Sequence, residues 1–265
     1  MLKVLRVPKV QISLLLFVLF FLVAPRIGIT LSVTLLVLCL TSTIVSDLLF
    51  AYIRKHTFFI PHAAVVTGLI LTLIIDTNSE WYQVVFVCVI AMAIKNFLRL
   101  SGRHIFNPAA SGLVVGYLVF GIQPSWWGPT FYLGGFSNPV NVAVFVTIIA
   151  FSYVSVKRMR RFGVFVAYLF STSLFTFLAS AKLALSVGLS VFVSPGVLFY
   201  GLLMAPEPMT SPVRLTRQIL FGVFVSGMTY FIVQFVVKHS LVQGNFPDAT
   251  LVALLLGNLV FFKFR

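Results

Sequence analysis

The chain has 265 residues, of which 60% are hydrophobic and only 9% are charged. A soluble domain carries about 25% charged residues, so this composition excludes an ordinary globular domain in water and predicts a polytopic integral membrane protein in a lipid bilayer. The formal net charge is +14, but the basic residues stand in short groups between apolar runs, which argues against a nucleic-acid partner and indicates a topology signal.

Apolar runs of nearly spanning length recur along the whole chain. A helix needs about twenty residues to cross the ~30 Å hydrocarbon layer. This length criterion predicts about ten transmembrane segments, near residues 10–25, 27–53, 60–76, 81–98, 106–121, 139–156, 162–181, 184–204, 217–237 and 247–263. The third, fifth and tenth are short and carry Pro or Gly near one end, which is typical of broken or half-spanning helices buried by protein.

The distribution of Lys and Arg predicts the orientation. With the N-terminus inside and the segments alternating, 16 of the 19 basic residues fall inside, and only Arg26, Lys182 and Lys238 fall outside. Cytoplasmic loops carry such an excess, so we expect both termini in the cytoplasm and the protein in the inner or plasma membrane. The first apolar run resembles a signal peptide, but Pro25-Arg26 stands at the cleavage position, so we expect it to be an uncleaved span.

The two halves of the chain share features. Gly116–Phe120 in the fifth segment is similar to Gly257–Phe261 in the tenth, and both follow a proline in a turn. Five segments per half would insert the halves in opposite directions. We therefore predict an all-α membrane domain of two inverted repeats, residues 1–138 and 139–265, with a binding site between them near the midplane.

Polar residues among these apolar segments are the candidates for chemistry. Asp47 in the second segment either lines an ion path or pairs with a neighbouring basic residue near the cytoplasmic face. In the cationic turn 101–112, Asn107 suits a helix N-cap and Pro108 the first helical position. A helix N-terminus favours an anion such as a phosphate or a reduced flavin. The alternative is a capped helix start with topology-setting arginines.

The stretch 204–212 contains three prolines, which cannot continue a regular helix, and Glu207, one of five acidic residues. It is either a re-entrant turn on a cation or proton path or an ordinary cytoplasmic loop. Cys39 and Cys88 are too few for an iron–sulfur cluster, and the histidines lack metal-ligand spacing. We predict neither a metal site nor a catalytic residue.

Three ordered stretches carry a resemblance to the RnfD/NqrB family. His104–Gly112 resembles its His/Asn-Ile-Phe-Asn-Pro-Ala motif, and residues 244–257 resemble its Gly-x-Tyr-Pro-Asp-Gly segment. Residues 204–212 resemble its Met-Ala-Thr-Asp-Pro-Val-Thr-Ser-Pro motif, with Glu207 replacing the aspartate. The similarity covers about residues 58–262. It implies a membrane subunit of an Rnf or sodium-translocating NADH:quinone reductase complex, with partner subunits and a urea-transporter-like architecture of two five-helix halves.

In that family the subunit carries FMN linked through phosphate to a threonine on the outer side. Here Gly134–Pro139 holds no threonine, and Ser137 is a poor substitute, so we do not expect covalent FMN. The resemblance then implies FMN or riboflavin bound without a covalent link. The candidate flavin residues are Arg103, His104, Asn107 and Pro108, and the candidates for an ion path are Asp47, Glu207, Thr210 and Asp248.

The predicted function is flavin-mediated electron transfer across the membrane, as a subunit of an oxidoreductase translocase rather than an enzyme alone. Two alternatives stay open. One is a solute or ion channel or transporter on the same fold without a redox cofactor, which the missing threonine favours and the three motifs oppose. The other is a scaffold that anchors extracytoplasmic flavoproteins.

Overall fold

A computed structural model describes residues 7–55, 59–180, 184–237 and 246–264. Those residues form eleven α-helices and one short β-hairpin, which confirms the all-α prediction. The helices are α1 (Pro8–Val23), α2 (Ile29–Ile53), α3 (His62–Ile74), α4 (Trp81–Phe97), α5 (Pro108–Phe120), α6 (Pro139–Ser152), α7 (Phe162–Ala179), α8 (Leu185–Ser190), α9 (Pro195–Phe199), α10 (Leu215–Phe231) and α11 (Ala249–Val260). The strands are β1 (Arg99–Leu100) and β2 (Arg103–His104).

Five helical stretches in the described ranges are long and apolar enough to cross a membrane: Pro8–Arg26, Ile29–Ile53, Pro139–Arg158, Phe162–Ala179 and Leu215–Phe235. The bent pair α8–α9 makes six if it counts as one span. Helices α3, α4, α5 and α11 are also apolar but have only 12 to 17 residues. Lengths and composition therefore support a multi-pass membrane protein with five or six spans, and the count of ten stays a prediction.

The predicted eighth segment is broken. Pro195 lacks an amide hydrogen, and the residue before a proline is disfavoured in the helical region. Ser194 is accordingly extended, with ψ of 114°, and the helix axis bends by 55° between α8 and α9. A π-helical turn, Tyr200–Met204, then leads into the proline-rich stretch. The eighth segment is thus a fourth interrupted one, and its break lies at the proline that leads into Gly201 in the sequence.

Helix α3 ends inside the protein. Its last carbonyl groups have no partner within the helix, and burying them unpaired is costly. The Trp127 indole donates to the carbonyl of Thr72 at 2.8 Å, and the Gly128 amide donates to that of Leu73 at 2.9 Å. A Cβ at residue 128 would lie 2.6 Å from the Leu73 side chain, so only glycine permits this approach. The loop after α5 therefore completes the hydrogen bonds of a helix that stops partway.

Helices α5 and α11, one from each half of the chain, lie side by side and antiparallel. At the start of α5, the Asn107 amide donates to Oδ1 of Asn258, near the end of α11, at 2.8 Å. Beyond the other end of α5, the Gln123 amide donates to the Phe246 carbonyl, just before α11, at 2.7 Å. Asn258 is fully buried. A polar contact inside the bundle thus joins the two short helices.

Most described basic residues gather at one end of the bundle, which we call the basic end. It comprises the start of α1, the ends of α2 and α4, the hairpin, the stretch 157–161, and the loop 205–214 with the first turn of α10. Arg158 donates to Gln11 of α1, and Arg161 donates to Ser211 at 2.9 Å, which ties these loops together. Arg26 lies at the opposite end, against the backbone of residues 127–131. Lys182 and Lys238 lie outside the described residues.

Candidate functional site

The turn before α5 is built by a hairpin and a helix cap. Ser101 and Gly102, with φ of 51° and 79°, make the two-residue connection, as in a type I′ turn. Strand alternation then leaves Arg103 exposed and His104 buried. Oδ1 of Asn107 accepts from the Ala110 amide at 3.0 Å, which confirms the predicted N-cap.

Three polar residues surround the carboxylate of Glu207, and we call the four residues together the carboxylate cluster. Glu207 accepts from Nδ2 of Asn107 at 3.0 Å and from the hydroxyl of Thr210 at 3.1 Å. Its Oε1 lies 3.0 Å from Nε2 of His104. His104 and Asn107 were predicted for flavin binding, and Glu207 and Thr210 for an ion path. The fold brings the two pairs together, whereas the sequence predicted them to belong to separate sites.

The Glu207 side chain remains 23% exposed. Burial raises its pKa, but the charge of His104 and the hydrogen bonds from His104 and Thr210 lower it more, so the pKa lies below its ordinary value. At neutral pH the group is therefore an ionised carboxylate that only accepts hydrogen bonds. The anion next to the cationic turn is thus the Glu207 carboxylate of the chain itself.

The stretch that carries Glu207 is held in place from the neighbouring basic loop. Arg161 is only 6% exposed and donates to the Ser211 hydroxyl at 2.9 Å and to the Pro208 carbonyl at 3.3 Å. The Ser211 hydroxyl in turn donates to the Glu207 carbonyl at 2.7 Å. Sequence reasoning counted Arg161 only as a topology charge, because nothing local links residues 50 positions apart.

Asp47 is engaged in a second polar group. It is 1% exposed, and its carboxylate accepts from Nζ of Lys95 at 2.8 Å and from Nδ2 of Asn96 at 2.8 Å. Arg54 donates to the Asn96 side chain at 3.3 Å. For Asp47 the alternatives were an ion path or a pair with a basic residue, and in the structure Asp47 pairs with Lys95. The partner is on α4, not on its own helix, and the part of Asp47 in an ion path stays a prediction.

Lys95 and Asn96 are functional candidates that sequence reasoning missed. The available signal was that the apolar segment 81–98 holds a single lysine and the segment 27–53 holds a single acid. A lone charge within an apolar helix requires a partner. Pairing these two lone charges would have located the contact between α2 and α4.

One cavity of about 420 Å³ at the basic end touches both polar groups. Its apolar lining includes Val66, Ile70, Pro108 and Leu203, and Asp47 and Glu207 both contribute to its polar lining. Pockets for small ligands and cofactors have volumes of about 300–1,000 Å³, mostly apolar walls and a few convergent polar groups. The cavity has these properties.

Two predicted site residues lie elsewhere. Arg103 is exposed on the hairpin and does not line the cavity. Asp248 caps the start of α11 by accepting from the Thr250 amide at 2.8 Å, and it also accepts from the Trp126 indole at 2.9 Å. Because α11 runs toward the basic end, Asp248 lies near the opposite end. Its role in an ion path stays a prediction, and its observed contacts are those of a helix cap.

The segment Gly134–Pro139, where we do not expect covalent FMN, also lies away from the cavity. Residues 135–137 form one 3₁₀ turn, and Ser137 is exposed. Asn141 donates to the carbonyls of Tyr132 at 2.8 Å and Gly135 at 2.7 Å, and so ties the segment to the start of α6. The turn is thus fixed by backbone contacts.

A sequence model of the NQR2, RnfD, RnfE family matches residues 5–138, which is half of the chain. The chain belongs to the NQR2, RnfD, RnfE family. The predicted family is thereby confirmed, and the match includes the first of the three motifs, at 104–112, while the stretches 204–212 and 244–257 lie beyond it. The part of the chain matched to the NQR2, RnfD, RnfE family holds Asp47, Lys95 and the turn at Asn107, whereas Glu207 lies beyond it. A comparison with curated proteins gave no match.

Proposed function

We propose that the chain is a membrane subunit of an ion-translocating electron-transport complex of the Rnf/Nqr type, and that it supports flavin-mediated electron transfer across the membrane. Membership of the NQR2, RnfD, RnfE family supports the role as a subunit with membrane partners. The observation that carries the flavin part is the cavity of about 420 Å³ at the basic end. Its size and its mixture of apolar walls and hydrogen-bonding groups fit an isoalloxazine ring system.

In this proposal the chain supplies position and electrostatics. A bound flavin, FMN or riboflavin without a covalent link, would supply the electron chemistry. Val66, Ile70 and Leu203 would pack against an apolar ring and exclude water. His104 and Asn107, which precede α5, would exchange their contacts with Glu207 for hydrogen bonds to its polar edge.

The ion path is proposed along the same cavity. Asp47 and Glu207 are the two carboxylates in its lining, and each has a basic partner close by. A cation or proton that enters the cavity would compete with Lys95 for Asp47 or with His104 for Glu207. Thr210 would stabilise the Glu207 carboxylate through its hydroxyl during that exchange. Asp248 would serve at the opposite end.

The proposed topology has ten segments in two inverted repeats, residues 1–138 and 139–265. The antiparallel contact between α5 and α11 supports it, since corresponding helices of inverted repeats run in opposite directions. The concentration of arginine and lysine at one end supports a cytoplasmic location of the basic end. Both termini would then lie on the cytoplasmic side of the cell membrane.

A solute or ion channel is the second candidate, because charged groups line a cavity that includes the exposed side chains of Lys9 and Arg54. One experiment separates the two. The full chain is purified with its membrane partners, and flavin released on denaturation is quantified by fluorescence.

The matched variants are Ala63→Phe, which fills the cavity, and Ala150→Phe, a half-buried alanine on α6 that does not line it. We expect about one flavin per chain beyond any held by the partners, lost in the first variant and kept in the second. Equal flavin content in the two variants would refute the cavity as the flavin site. Absence of flavin together with solute flux through liposomes would favour the channel.

A further inference from the structure

The charges of the cavity do not balance within the chain. All five side-chain carboxylates belong to described residues. Asp47 and Glu207 line the cavity, and each has a basic partner. The other three, Asp76, Glu80 and Asp248, precede α4 or α11 and lie far along the bundle from the basic end. The described residues therefore have no further side-chain carboxylate to offer the cavity.

Three more cations line the same cavity. Lys9 comes from the start of α1, Arg54 from the end of α2, and Arg99 from β1. Within the described ranges, none of them has a carboxylate within ion-pair distance. The two arginines donate to neutral acceptors: Arg54 to the side-chain oxygen of Asn96, and Arg99 to the carbonyl of Gly102. The three cations thus lack an ion-paired carboxylate among the described side chains.

The arrangement of these cations points to an anion from outside the chain. Arg99 is half-buried. Burial lowers its pKa, and the positive charge of Arg54 lowers it further, so the two guanidinium groups are close enough to repel each other; the negative charge of Asp47 offsets this only in part. Like charges held together in a partly desolvated place are unfavourable unless an opposite charge joins them. Lys9 and Arg54 are exposed, so this anion would lie in the outer part of the cavity, with apolar walls further in.

We propose that Lys9, Arg54 and Arg99 form a phosphate-binding subsite, and that the ligand of the cavity carries a phosphate ester on an apolar body. Arginine binds phosphate oxygens through a planar fork of donors, and two arginines with one lysine suit a dianionic group. The choice of FMN over riboflavin as the ligand rests on the proposed function, in which the cavity binds a flavin. The same chemistry is present in the headgroup of an anionic phospholipid, so the test includes both sources.

The test uses the full chain, freed of bound flavin, in nanodiscs of zwitterionic phosphatidylcholine. FMN and riboflavin are titrated separately, and binding is followed by flavin fluorescence. Retention of added phosphatidylglycerol is measured by native mass spectrometry. We expect FMN to bind about tenfold or more tightly than riboflavin, which is the gain that a charge-assisted hydrogen bond supports.

The variants Arg54→Gln and Arg99→Gln should remove this preference by weakening FMN and leaving riboflavin unchanged. Lys55→Gln is the matched control, because it removes the same charge one residue away, at an exposed position that does not line the cavity. Equal affinities for the two flavins in the unmodified chain would overturn the subsite and leave the flavin proposal standing. Retention of phosphatidylglycerol that depends on Arg54 and Arg99, with neither flavin bound, would support the subsite and refute the flavin function. Binding of none of the three would overturn both.

Discussion

Removing the charge of Asp47 gives the sharpest test of the packing between α2 and α4. The variant Asp47→Asn keeps the shape of the side chain but leaves Lys95 without its ion pair. The two side chains are 1% and 10% exposed, so water can screen the lysine only weakly. Breaking a buried pair from one side costs about 3–5 kcal/mol, because the remaining charge stays buried without compensation.

The double variant Asp47→Asn with Lys95→Met provides the matched control. Replacing both members of a buried pair by groups of similar volume is often nearly neutral. If the ion pair carries the cost, the double variant should recover most of the stability that the single variant loses. A double variant as unstable as the single one would refute this reasoning, since the loss would then come from the altered shape.

Unfolding can be followed through the two cysteines. Cys39 and Cys88 are both fully buried, so a thiol-reactive dye should label them only as the helices separate. A change of 1 kcal/mol shifts the melting temperature of a chain of this size by about 2–4 °C, so the single variant should melt roughly 6–20 °C lower in detergent. A shift under about 2 °C would show that the pair is effectively solvated from the cavity.

Three further outcomes are expected, each measured as the melting temperature in the same assay. Asn107→Ala should destabilise the chain by about 1–2 kcal/mol, because it removes the cap of α5 and a donor to Glu207; an unchanged melting temperature would contradict the cap. The folded-state pKa of Glu207 is lowered, so its stabilising contribution is present above the unfolded value of about 4.3 and is lost as the pH falls through the folded value. In the variant Glu207→Gln the melting temperature should therefore fall less at acid pH. A pH profile of the melting temperature identical to that of the unmodified chain would contradict this role. Gly222→Ala should destabilise the α7–α10 contact, because the new Cβ would lie 2.7 Å from the Val164 carbonyl, whereas Gly227→Ala on the same helix meets nothing nearer than 3.6 Å and should be tolerated.

Local chemistry made part of the site predictable. The N-cap at Asn107 and the proline after it involve neighbouring residues, so their sequence order alone predicts their geometry. The short helices were predictable from the length of the apolar runs between Pro and Gly. Side-chain identity also marked Glu207 as exceptional among so few acids.

The long-range contacts were not predictable in this way. His104 and Glu207 are 103 residues apart, and the choice of His104 rather than Arg103 as the partner depends on which face of the two-residue strand turns inward. Likewise, the packing of α2 against α4 gives Asp47 its partner Lys95, although Arg54 is nearer in sequence. A single sequence contains the residue types but not the packing that pairs them.

The orientation of the basic end decides whether the proposed electron path is workable. Single cysteines at two exposed positions test it: Lys157→Cys at the basic end and Leu133→Cys, 98% exposed, at the opposite end. The native cysteines are buried and should not react with a membrane-impermeant thiol reagent while the protein is folded. Residue 133 should be labelled in intact cells and residue 157 only after permeabilisation. The reverse pattern would place the cavity, with its excess of cations, on the outer face, where a cytoplasmic electron donor has no access to it.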